Sequence, residues 1–401
     1  MVGITGKGMR FGLAATLLLA CSAFAAVEPL VDRAFDHFSN LEYDPALEIF
    51  RSLVRRNPGN PDFRNHLAQT ILYRELYRVG ALESELVSGS NPFLRRPKVQ
   101  PSEADRREFT EAIAESLALT ERRLAENPKD IEALYVRGVA LGLKANYDFL
   151  VRKSWMDALR SATDSRKLHQ RILEIEPSNV DARMIPAIHD YVVGSLPWYI
   201  KVIGFLAGFR GDKQGGIAAL ERVARDGVRQ RDNARFLLAA VYRRERRAKD
   251  AVPLIEALIR DFPRNYVLRM EMVQMYSDLG DKEKGLAVVR EIERLKTSGA
   301  PGYDRMPWHK LWYTRGTLLF WYLDLEPALA DFRRMVETGE EMPMHTEQLA
   351  WYRVGQTQDM LGRRQEAMTA YRHVIDMAPD SERAKQARYH LRNPCTKDNR
   401  S

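Results

Sequence analysis

Three short stretches place an aromatic–aliphatic pair beside cations: NPFLRRPK, YDFLVRKSW and GFLAGFRGDK. The first supplies Phe93, Arg95 and Arg96, the second Phe149, Arg152 and Lys153, the third Phe205 and Arg210. Trp198, Tyr199 and Lys201, in LPWYIKVIGFLAGFRGDK, extend the third set. Phe and Leu offer apolar area, and Arg or Lys covers such area with its stem while the charged head stays in water. The combination suits a docked peptide or an anionic lipid headgroup. The plain alternative is that each Phe-Leu pair anchors its own segment on a neighbouring helix, with the cations as a wet rim.

Other sets are weaker. His189-Asp190 beside the third stretch offers a polar pocket, or simply a core or rim histidine. Met342, Met344 and His345 in EMPMHTE are soft in the manner of copper ligands, but the segment opens a repeat and packing explains it. Gly208, Gly211, Gly215 and Gly216 fit turns and a close helix crossing better than a phosphate cradle. Neither a dinucleotide fingerprint, a P-loop, H-E-x-x-H nor G-x-S-x-G occurs. No catalytic residue, cofactor or metal site is therefore expected. VYRRERRAKD alternates its arginines with acids and has no stacking module beside it, so nucleic acid is not an expected partner.

The 401 residues are 45 % apolar and 29 % charged, which suits a folded chain and excludes global disorder. A net charge of +8 favours acidic partners. Residues 1–25 read as a signal peptide: Lys7 and Arg10, then FGLAATLLLA, then small residues. Two cleavage sites compete. Ala23-Phe24-Ala25 allows cleavage at 25/26, whereas Leu18-Leu19-Ala20-Cys21 allows cleavage at 20/21 with lipidation of Cys21. The expected location is the periplasm of a Gram-negative-type envelope, free or anchored to the outer membrane. Cys21 and Cys395 are the only cysteines, so loss or acylation of Cys21 leaves packing alone to stabilise the protein.

The elements that must position these residues are helices. Apolar residues recur at three and four, and alternating runs are nearly absent. RRNPGNPD, AENPKDIEAL, EIEPSNVDAR, RDFPRNYVLR and DMAPDSERAK each end one helix and open the next, with proline assigned to a first turn where its missing N–H is harmless. In TEQLAWYRVGQTQDMLGRRQEAMTAYRHVIDMAPD, Gly355 and Ala367 are small where two helices cross, Trp351 and Tyr371 fill the space beside, Gly362 turns and Pro379 closes the unit. This segment resembles the tetratricopeptide repeat family, and weaker copies of its frame cover most of residues 27–385. The resemblance implies an all-α, right-handed superhelix of about eight helix pairs, non-enzymatic, binding a protein or peptide in its concave groove.

Pro58 to Pro128 and Pro128 to Pro177 exceed whole numbers of 34-residue repeats. The excess places long inter-helix insertions near 80–103, 143–157 and 195–213, each between the first and second helix of a pair. Stacking would set all three on one edge. That edge is a second candidate surface, for a protein or, alternatively, for a lipid or other hydrophobic ligand. LPWYIKVIGFLAGFRGDK is expected to be a packed insertion rather than a membrane span, because Lys201 and Pro197 interrupt it. PGYDRMPW reads as a hinge between a 27–300 block and a 308–385 block, and 393–401 as a frayed polar tail.

Overall fold

A computed structural model describes residues 29–80, 82, 99–195, 211–339 and 342–400. Among them there is no strand. They form two compact units, one running to Arg235 and one starting at Phe236. In the first unit, α1 (29–39) pairs with α2 (Tyr43–Arg56), α3 (Pro61–Arg78) with α4 (Glu103–Glu126), α5 (Ile131–Tyr147) with α6 (Trp155–Ile175), and α7 (Met184–Gly194) with α8 (Lys213–Asp226). The unit boundary falls within α9 (Arg231–Arg244), which is followed by α10 (Ala248–Asp261). The second unit continues with α11 (Tyr266–Asp278) and α12 (Lys282–Thr297), α13 (Trp308–Trp321) and α14 (Leu325–Glu337), then α15 (Met344–Met360) and α16 (Arg364–Met377). A single helix, α17 (Glu382–Arg392), follows. The described residues thus follow the all-α solenoid design of paired helices that the sequence predicts. No helix among them is long and apolar enough to cross a membrane.

Pro61 occupies the first turn of α3, as expected, whereas Pro58, Pro128, Pro177, Pro263 and Pro379 each stand two residues before a capping side chain. Asn60 accepts from Asp62 N, Asp130 from Ala133 N, Asn179 from Ala182 N, Asn265 from Val267 N and Ser381 from Ala384 N, at 2.9–3.1 Å. Proline ends the preceding helix, and the cap satisfies a donor of the next, worth about 1 kcal/mol each.

Within a pair, one large side chain lies directly on a glycine of the facing helix. A Cβ on Gly355 would stand 2.6 Å from the Tyr371 ring, and one on Gly316 2.9 Å from Phe332. Tyr371 therefore sits on the crossing itself, not beside it. Trp351 takes the outer space and packs on His373, with ring centroids 4.5 Å apart. Both glycine–aromatic pairs are sixteen positions apart. In the first unit, Gly138 faces His169 in the same way, thirty-one positions on. The extra fifteen residues are those of the middle insertion.

That insertion is not a loop. α5 and α6 have 17 and 21 residues, against 13 to 17 for α9 to α16. A five-residue π turn, Asp148–Arg152, and a left-handed Lys153 (φ 57°) join them. PGYDRMPW is packed rather than open: Tyr303 and Met306 are buried, the Tyr303 hydroxyl pairs with Arg269, and Lys296 donates to the Asp304 carbonyl at 2.8 Å.

Candidate functional site

Of the residues singled out in the sequence, the structure places Phe149, Arg152 and Lys153 at the joint between α5 and α6. Cys21, Phe93, Arg95, Arg96, Trp198, Tyr199, Lys201, Phe205 and Arg210 lie outside the described residues, as do the signal segment and the shared edge of the three insertions. The third insertion can be followed only to its ends. There Gly194 and Gly211 meet backbone to backbone, and a Cβ on Gly216 would stand 2.6 Å from Tyr191 N. The chain leaves α7 and re-enters at α8 through one pinch, which explains Gly194, Gly211 and Gly216 as close-approach residues.

The joint has a polar inside and an apolar outside. Asp148 is buried and accepts from Lys144 at 2.8 Å and from Arg152 at 2.7 Å. Ser154 N donates to the Asp148 carbonyl at 2.8 Å, closing the π turn. Arg152 shares this internal carboxylate with Lys144 and lies 3.9 Å from a second one, Asp157, so it is engaged before any ligand arrives. Phe149 packs edge-on against Trp155, with ring centroids 4.6 Å apart. Next to that pair, α6 exposes Trp155 (44 %), Met156 (71 %) and Leu159 (45 %) to solvent. Such large apolar side chains grouped on one helical turn mark a contact surface more than scattered ones do. The motif YDFLVRKSW pointed to this corner, but Met156 and Leu159 were missed. Their signal was the apolar spacing 155, 156, 159 on a helix whose buried stripe runs through Ala158, Ser161, Ser165, His169 and Ile172.

His189 contacts Asp190 at 3.2 Å, and Asp190 lies 3.7 Å from Arg166. Burial lowers the pKa of His189. The arrangement is a paired rim histidine with no second acid or base aimed at a common point. Met342 packs on the α13–α15 core and Met344 is exposed. Among the described residues no group of three or more His, Cys, Asp or Glu could hold a metal ion.

The second unit carries a polar centre that the sequence did not suggest. The Asp359 side chain is fully buried. It accepts from Arg364 Nη1 at 2.8 and 2.9 Å, from the Tyr371 hydroxyl at 3.0 Å and from Cys395 N at 2.8 Å. Arg364 also donates to the carbonyls of His390 and Leu391 at 2.9 and 2.7 Å. One carboxylate therefore ties α15 and α16 to the end of α17 and to the segment beyond it. That segment is docked, not frayed. Cys395 is buried, and burial together with Asp359 pushes its thiol pKa up to about 11. Arg400 donates to the Phe320 carbonyl at 2.9 Å, and its guanidinium lies 4.9 Å from the centre of the Trp321 ring. Arg353 of α15 stacks on the same two aromatics, 5.1 Å from Phe320 and 5.9 Å from Trp321.

Residues 206–295 and 349–381 each match a model of the tetratricopeptide repeat. The chain carries such repeats in both stretches. No curated protein matches it. Among solved structures it is similar to yeast Tom70 at 12 % identity, over 92 % of this chain and 95 % of that one, with a TM-score of 0.41. A human IFIT1 dimer with m7Gppp-AAAA is similar at 13 % identity, over 92 % and 87 %, with a TM-score of 0.43. A tetratricopeptide repeat protein from Parabacteroides merdae is similar at 17 % identity, over 81 % and 98 %, with a TM-score of 0.23. Likeness at this level says nothing about partners.

Proposed function

We propose that the chain is a non-enzymatic scaffold of the bacterial cell envelope that binds a protein partner, with the α6 corner as one contact surface. The observation that supports this most is the exposed Trp155–Met156–Leu159 face beside Phe149. The second candidate reading, an anionic lipid surface, is weaker at this corner because Asp148 and Asp157 together offset the charges of Lys144 and Arg152. A protein surface needs apolar area at its centre and tolerates internally paired charges.

Joint replacement of Met156 and Leu159 by glutamate should abolish capture of the partner when intact envelopes are crosslinked and affinity-purified. The melting curve should barely move, because both side chains are exposed. Unchanged capture would remove this corner from the interaction. Loss of binding to anionic vesicles, with protein capture intact, would instead favour the lipid reading.

The envelope location is proposed from residues 1–25. Labelling cells with a palmitate analogue should mark the wild-type protein and not Cys21→Ser if the 20/21 site is used. An unlabelled protein found in the soluble periplasmic fraction would instead support cleavage at 25/26. A protein retained in the cytoplasm would overturn export.

A further inference from the structure

The docked segment after α17 has the features of a bound peptide. It offers a backbone N–H to a buried carboxylate, a small apolar side chain to a closed pocket, and a guanidinium to a carbonyl and an indole. Its own bonds hold it folded: Thr396 N donates to Asn399 Oδ1 at 2.7 Å, and Asn399 Nδ2 to the Pro394 carbonyl at 3.2 Å.

The complement is incomplete. Arg353 Nε beneath the segment is buried without a hydrogen-bond partner. A hollow of about 520 Å³ remains between Trp321, Tyr389 and residues 397–400. Trp321 is 41 % exposed and Tyr389 53 % exposed. A longer ligand could fill that hollow and cover both rings.

We propose that the face formed by α13 and α15 is a peptide-binding surface whose resident ligand is residues 393–400. A partner segment displaces it by presenting a small apolar side chain and, five positions later, an arginine or lysine. Covalent linkage to α17 gives the resident segment an effective concentration of order millimolar. An incoming segment must therefore bind better than the resident one, and the open aromatic walls supply the extra contacts. The inference rests on the scaffold reading only in assuming that a partner exists. The surface lies in the second unit, so its test is independent of α6.

The probe is a fluorescein-labelled peptide NPCTKDNR, followed by anisotropy, with a scrambled peptide as control. A chain ending at Arg392 should bind the peptide saturably, at least about tenfold more tightly than the full chain does. Trp321→Ala in the shortened chain should weaken binding about threefold to fivefold. A shortened chain that keeps its cooperative melt and does not bind overturns the proposal, as does equal binding by the full chain. Should the shortened chain not fold, the full chain provides a second measurement. Iodoacetamide modification of Cys395, quantified by peptide mapping, should be slow in the wild type and severalfold faster in Trp321→Ala. An unchanged rate would show that the segment is not held by this face and overturns the proposal.

Discussion

Asp359→Ala should lower the stability of the second unit by about 3 kcal/mol, the usual scale for removing one partner of a buried ion pair. Three donors lose their acceptor at once: Arg364, the Tyr371 hydroxyl and Cys395 N. Arg364 is partly exposed and keeps two carbonyls, so water recovers some of the loss. The buried tyrosine has no such recourse. Burial, the main reason the Tyr371 pKa lies well above that of a free phenol, persists without Asp359, so the hydroxyl stays a protonated donor that has lost its acceptor. Asp359→Asn keeps the shape and can still accept from the tyrosine or the amide, and should cost about half as much. Thermal melts give the total. Hydrogen exchange should show faster amide exchange in α15 to α17 and in residues 395–400, with α1 to α8 unaffected. If the alanine variant melts and exchanges like the wild type, the carboxylate does not join these elements.

This hub explains what could and could not be read from residue order. Gly355, Ala367, Tyr371 and Pro379 were legible because close helix crossing demands a small residue opposite a large one at fixed spacing. Asp359 was not, because a carboxylate on a charged helix looks like a solvated one until a remote segment returns to it. Residues 393–400 are polar and short, which composition equates with fraying. What holds them is one buried thiol-bearing residue and one arginine, too little to make a pattern. At the middle insertion, Phe149 packs on Trp155 at the start of α6, within the same insertion. Arg152 turns inward because the π turn brings Asp148 within reach, a geometry that a helical period does not encode.

His169 shows how a frame can hide a residue's role. It occupies the seat that Phe332 and Tyr371 take in other pairs, but the fifteen-residue excess displaces it from the repeat register. Its ring covers Gly138, its Nδ1 lies 2.9 Å from the Ser165 carbonyl, and it meets Tyr135 edge-on with centroids 5.5 Å apart. Burial disfavours the imidazolium and lowers the pKa to about 4, against 6.5 for the free side chain. The sign follows directly. Between pH 6.5 and 4 the unfolded chain takes up a proton that the folded chain does not, so stability falls as the pH drops through this window. The cost approaches about 3 kcal/mol below pH 4 and is about 2 kcal/mol at pH 5. Half-buried His189 adds in the same direction.

Comparing wild type with His169→Phe isolates the effect, because carboxylates titrate equally in both. The phenyl ring restores the aromatic found at this seat in the second unit and cannot take up a proton. Hydrogen exchange of α5 and α6, corrected for intrinsic pH dependence, should show the wild type losing about 2 kcal/mol of protection from pH 7.5 to pH 5 beyond what the phenylalanine variant loses. Equal losses would mean that His169 is protonated in the folded state and that its seat is wetter than Gly138, Tyr135 and Ser165 make it.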